Sequence, residues 1–202
     1  TQESPFVVEA KRLLMHGGWI TVGNVLAPVM ANLDRLLLAQ IVPLGKIINY
    51  STPMEMISRL WIIPGGVTRI YFPKFAATKK ADELLLTFKS AYLIMAILIL
   101  PIAVLGLTLM NSILTVWISP EFAGESSLIA RIILIGVVIN SFNWITYGYL
   151  QSSDKVAWSI YTVFLELPLF LVFFYWMTSG YGLLGAAAVW TGRMIFDFIL
   201  TH

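Results

Sequence analysis

IINYSTPMEMISRLWIIPGGVTRIYFPKF, residues 47–75, is long and apolar enough to cross a bilayer, yet it holds Glu55, Arg59 and Arg69 and carries Pro64, Gly65 and Gly66 in its middle. A hydrocarbon core takes about 20 helical residues to span. A charge near its centre costs about 2.5 to 3.5 kcal/mol on insertion scales, so charged residues inside spans turn to protein or to a water-filled cavity. The stretch therefore reads as a span with one polar side lining a pathway, interrupted near its proline and glycines, and not as a simple anchor.

The rest of the chain has the same character. Of its 202 residues, 58% are hydrophobic and 12% charged, whereas about a quarter of a soluble domain is charged. The expected fold is an all-α integral membrane bundle of six transmembrane helices, with spans at 17–42, 47–75, 91–110, 128–150, 158–176 and 183–200. The first is polar, holding Asn24, Pro28, Asn32, Asp34 and Arg35. The third has no charge, is bent at most by Pro101 and Gly106, and is expected to meet lipid. Between the second and third lies the most charged stretch, 77–89, read as a solvated loop leading into an amphipathic helix. Residues 111–127, with Trp117, Pro120, Glu121 and Glu125, suit an interfacial loop. Ser179-Gly180-Tyr181-Gly182 punctuates the last two spans as a tight turn.

Composition also excludes chemistry. With no cysteine there is no disulfide, thiol catalysis or cysteine-held metal. The two histidines, His16 and His202, stand at the ends, and no HExxH, GxSxG or GxxxxGK[ST] pattern occurs. No catalytic residue, metal or cofactor is expected, and the dispersed basic residues argue against nucleic acid as a partner. The chain starts at Thr1 without a charged n-region and short apolar core, so the sequence expects no signal peptide and a missing amino-terminal part. One side of the membrane collects Lys11, Arg12, Lys74, Lys79, Lys80, Lys89 and Lys155 against Lys46 alone on the other, which places both termini in the cytoplasm. Six crossings that return to their starting side can be duplicated in the same orientation, so a missing half would be a parallel repeat.

Several residues are candidates for the pathway. At helical spacing Ser51, Glu55, Arg59 and Arg69 share one stripe, within roughly 80° for the three charges. They form either a Glu55–Arg59 pair with Arg69 snorkelling to the interface, or a wall that attracts anions, with Arg59 deepest. Asn24 and Arg35 share a stripe of the first span and so the same cavity, unless Asp34 and Arg35 only anchor that helix at its outer interface. Arg193 and Asp197, four apart in the last span, either pair with each other or add Arg193 to the cavity. Glu166, beside Pro168, is a proton or cation site or the partner of a buried arginine such as Arg131 or Arg193. The run from Gly185 to Ala188 lets helices approach closely in lipid.

Gly17-Gly18-Trp19, Asn32-Leu33-Asp34-Arg35, Ser58-Arg59-Leu60, Ile63-Pro64-Gly65 and Phe72-Pro73-Lys74, in this order, resemble the polysaccharide and O-antigen flippases of the multidrug/oligosaccharidyl-lipid/polysaccharide exporter superfamily. The closing Tyr181-Gly182-Leu183-Leu184-Gly185-Ala186-Ala187, followed by Arg193 and Asp197, is similar to that family's final core span. The resemblance implies the carboxy-terminal lobe of a MATE-like exporter of twelve or more helices. Such a protein moves undecaprenyl-pyrophosphate-linked oligosaccharide to the outer leaflet of the bacterial cytoplasmic membrane by alternating access. It further implies that Arg35 and Arg59, with Arg69 and Arg193 as lesser members, attract the pyrophosphate and acidic sugars, and that Asp34, Glu55, Glu166 and Asp197 are ion-pair or coupling residues. Implied partners are the lipid-linked substrate, membrane lipids, the amino-terminal lobe and polysaccharide polymerase or assembly proteins. The rival readings are a cation- or proton-coupled multidrug antiporter, which needs carboxylates as the dominant cavity charges, and an intramembrane transferase or scaffold acting on lipid-linked sugars.

Overall fold

The computed structural model describes Gly18, Thr21 and residues 32–78, 80–153 and 156–201. The first span lies mostly outside the described residues, as do Asn24, Asp154 and Lys155. A helical run at 32–41 (α1) is followed by α2 (Leu44–Ser58), a 3-10 turn (Arg59–Trp61), α3 (Ile62–Ala77), α4 (Ala81–Trp117), α5 (Pro120–Ser152) and α6 (Val156–Thr201). Among the described residues, Ala81–Trp117, Pro120–Ser152 and Leu165–Thr201 are long and apolar enough to cross a membrane.

The expected interruption of the opening stretch is real but displaced. The helix passes through Pro64, Gly65 and Gly66, and the irregular turn falls at Arg59–Trp61, upstream of them. Proline explains the shift, because its ring clashes with the carbonyl four residues earlier. That carbonyl belongs to Leu60, within the turn, where it and the Arg59 carbonyl both accept from the Ile62 N–H. The expected loop at 111–127 is likewise shorter, since α4 runs to Trp117 and α5 starts at Pro120. Ser119 supplies the reason: it is an extended N-cap whose Oγ accepts from the Phe122 N–H at 3.2 Å, with proline next in line at the first helical position.

α5 is the central helix. It packs against α2, α3, α4 and α6 and is buried around most of its circumference, from Ala123 through Ile133, Val137 and Ile145 to Leu150. By contrast α4 buries one stripe, Ala91, Met95, Ile99, Ala103, Met110 and Leu114, and exposes Leu93, Ile97, Val104, Leu105 and Leu109. A helix with a narrow buried stripe and an apolar outer face belongs at a lipid boundary. At one end of the bundle Phe75, Phe88 and Tyr149 cluster, with ring centroids 4.8 to 5.8 Å apart.

α6 is folded back on itself. Gly182 has φ 61 and ψ −140, a left-handed conformation that glycine adopts without a Cβ penalty. It falls within the stretch where the sequence expects a turn. Beyond it the two arms run side by side and meet at Gly185, where an added Cβ would collide with the backbone carbonyl of Met177. Backbone cannot move aside as a side-chain tip can, so this close approach requires glycine.

Candidate functional site

Two groups of charged residues lie in the described bundle, and they differ in how completely they are matched. The first joins α5 to the two arms of α6 and is paired within the chain, although Glu166 Oε1 and Arg193 Nε find no hydrogen-bond partner among the described residues. Asp197, 6% exposed, accepts from Asn143 Nδ2 at 2.6 Å and from the Tyr147 hydroxyl at 2.5 Å. The Thr201 hydroxyl lies 2.6 Å from Asn143 Oδ1 and holds the amide with its donors towards the carboxylate. Across the fold in α6, Glu166, 2% exposed, faces Arg193 with Oε2 3.4 Å from Nε, and Asp197 also acts on it. The Arg193 guanidinium lies over the Phe170 ring, 5.4 Å from its centroid, a contact in which the ring face attracts the cation.

Arg193 takes Glu166 as its partner in place of Asp197. The reason is the reversal at Gly182, which sets the two arms antiparallel and brings residue 166 opposite residue 193, while Asp197 turns towards the donors of α5. Of the two arginines considered for Glu166, Arg193 is the one beside it.

The second group lies on α1, α2 and the turn after it, and it is open. Asp34, 1% exposed, accepts from the buried Tyr50 hydroxyl at 2.7 Å, and its other carboxylate oxygen has no partner among the described residues. Its neighbour Arg35 points elsewhere and pairs with Glu55, Nη1 to Oε1 at 2.9 Å. The i,i+4 pairing of Glu55 with Arg59 therefore gives way to a contact between helices, because the 3-10 turn at Arg59 breaks the α-helical spacing that would align the two. The Arg35 and Glu55 side chains are 31% and 61% exposed, so the pair contributes little to stability. Arg59 and Arg69 are both exposed, and neither makes an ion pair or hydrogen bond within the described residues. Arg59, placed deepest in the reading of the sequence, is on the outside of this chain.

Tyr50, Asn49 and Tyr147 were not singled out as pathway or pairing residues by the sequence, where Asn49-Tyr50-Ser51 reads only as a chance match to a glycosylation acceptor. A signal for Tyr147 does exist in hindsight of geometry: Asn143 and Tyr147 are four apart, so they stack on one helix face and address one acceptor. Between the arms of α6 lies a cavity of about 430 Å³ walled by Phe170, Phe173, Trp176 and Phe196, with Glu166 and Arg193 at its base.

No protein-family profile matches the chain, and no solved structure matches it. A curated protein does. The apolar helices and that likeness together mark a multi-pass membrane protein. Over 190 residues, 94% of its length, the chain is 34% identical to a Shigella flexneri protein named "Putative O-antigen transporter", and it spans 46% of that protein, about half.

Proposed function

We propose that this chain forms one lobe of a transporter that flips undecaprenyl-pyrophosphate-linked oligosaccharide to the outer leaflet of the bacterial inner membrane by alternating access. Both ends of the segment face the cytoplasm, and a second lobe of the same protein faces the open charged group. The observation that carries this reading is the exposed pair Arg59 and Arg69, without an ion-pair partner among the described residues, on a mostly apolar run. Left against hydrocarbon, each guanidinium would carry an insertion penalty of a few kcal/mol. A pyrophosphate offers charge-assisted, bidentate partners that remove the penalty. Arg35, already half-matched by Glu55, borders the same pathway, and the name of the Shigella flexneri relative supports a polysaccharide cargo.

The multidrug-antiporter reading has one observation in its favour, the buried Glu166 at the base of an aromatic cavity, which is suitable chemistry for a lipophilic cation. Arg193 already offsets that carboxylate, so the flippase reading is the stronger. Native mass spectrometry of the full-length protein tests it. A co-purifying polyprenyl-pyrophosphate oligosaccharide that disappears in Arg59→Ala is the expected result, and bound cationic amphiphiles in its place would reverse the assignment.

A further inference from the structure

At the end of the bundle away from the Phe75 cluster, the α1–α2 connection, the start of α5 and the reversal of α6 line an open cavity of about 590 Å³. This falls within the range of about 300 to 1,000 Å³ usual for small-molecule sites. Its polar groups come from three separate elements. Lys46 belongs to the first turn of α2, and Asn49, one turn on, is 9% exposed and donates from Nδ2 to Glu125 Oε2 of α5. That contact leaves the second carboxylate oxygen of Glu125 available. Thr178, in the last turn before the reversal, lines the wall at 2% exposure with a hydroxyl that finds no partner among the described residues. Ser179 and the 68% exposed Tyr181 complete the rim.

The chemistry of this lining differs from that of the arginine edge. One ammonium and one carboxylate cancel, so the cavity has no net attraction for a pyrophosphate. A carboxylate, an amide and hydroxyls instead supply acceptors and donors in close proximity, and an open phenol ring offers a flat apolar face with a polar tip. A polyol with hydroxyls around its edge and C–H bonds on its faces matches both.

We propose that this cavity is a saccharide subsite that holds one or two neutral sugar rings of the cargo, with Glu125, Asn49 and Thr178 bonding to hydroxyls and Tyr181 covering a ring face. The inference rests on the transporter reading and adds to it a division of labour: the arginine edge binds the phosphates, and this end of the bundle binds the sugar.

The test uses the full-length protein in nanodiscs and, as probe, lipid-free and phosphate-free repeat-unit oligosaccharide released by mild acid from the host's surface polysaccharide, titrated by saturation-transfer NMR. Saturable binding is expected. Glu125→Ala and the near-isosteric Thr178→Val should each weaken it about tenfold, the equivalent of about 1.4 kcal/mol, whereas Thr178→Ser and Arg59→Glu should leave it unchanged. Equal affinity across all these variants, absence of saturable binding to folded wild type, or displacement of the sugar by inorganic pyrophosphate would each overturn the subsite. The transporter reading is judged separately by export: loss of export in Arg59→Glu with no effect of Glu125→Ala on sugar binding would sink the subsite and leave transport standing.

Discussion

The α5–α6 network and the α2–α3 run each carry charges through apolar surroundings, and they resolve the cost in opposite ways. In the first, Glu166 meets Arg193, and Asp197 meets Asn143 and Tyr147. Each of these charges has polar or charged partners inside the chain, and the result is a junction between helices. In the second, Arg59 and Arg69 have none among the described residues. A charge matched within its own chain contributes to folding, whereas a charge left open stores interaction energy for something that arrives later. On the proposed function, the same residue types serve architecture in one region and recognition in the other.

The contrast breaks most visibly at Arg193. Arg193→Ala strands the buried Glu166 carboxylate and should cost about 3 to 5 kcal/mol, read as loss of folded protein in a detergent-solubilised thermal melt. Adding Glu166→Gln to that variant should recover most of the loss. If the double variant melts no higher than the single one, the pair is not what holds the arms together. Gly185→Ala comes next, since its Cβ meets the Met177 backbone. Forcing extra volume into a close contact costs about 1 to 3 kcal/mol, and a wild-type melting temperature would show that the arms separate freely.

A smaller effect is expected at Tyr147→Phe, which removes one of two donors to Asp197 while keeping the ring. A lost hydrogen bond to a charged group is worth about 1.5 to 3 kcal/mol, partly offset here because Asn143 remains, and an unchanged melt would place Tyr147 outside the junction. The smallest change in stability belongs to Arg59→Glu, within about 0.5 kcal/mol as for other exposed sites. Yet this variant should abolish surface polysaccharide export while Arg59→Lys keeps part of it. Normal export in Arg59→Glu, measured on gels of surface polysaccharide, would remove the functional half of the comparison.

The sequence is informative wherever a local rule decides the outcome. Glycine at 182 marks the reversal because few other residues take a positive φ, and the uncharged stretch 91–110 announces the outward-facing helix. It is less informative wherever partners are far apart in the chain. Spacing of four suggests Glu55 with Arg59 and Arg193 with Asp197, but Glu55 finds Arg35 twenty residues away and Arg193 finds Glu166 twenty-seven residues away. Periodicity reports which residues share a helix face and is silent on which neighbour that face will meet. The break at Arg59–Trp61 was displaced from Pro64 for a related reason, since proline acts on the carbonyl one turn before it.

The reversal at Gly182 also bears on how the chain enters the bilayer during synthesis. The tip of the α6 hairpin, Ser179-Gly180-Tyr181-Gly182, carries no Lys, Arg, Asp or Glu, so passing it across hydrocarbon needs no ion to shed its hydration. The charges on the two arms nearest the tip, Glu166 and Arg193, face one another and can cross as a neutral couple. Two arms that translocate together thus escape a penalty that either would meet alone, and the pairing that holds the finished junction also eases its assembly.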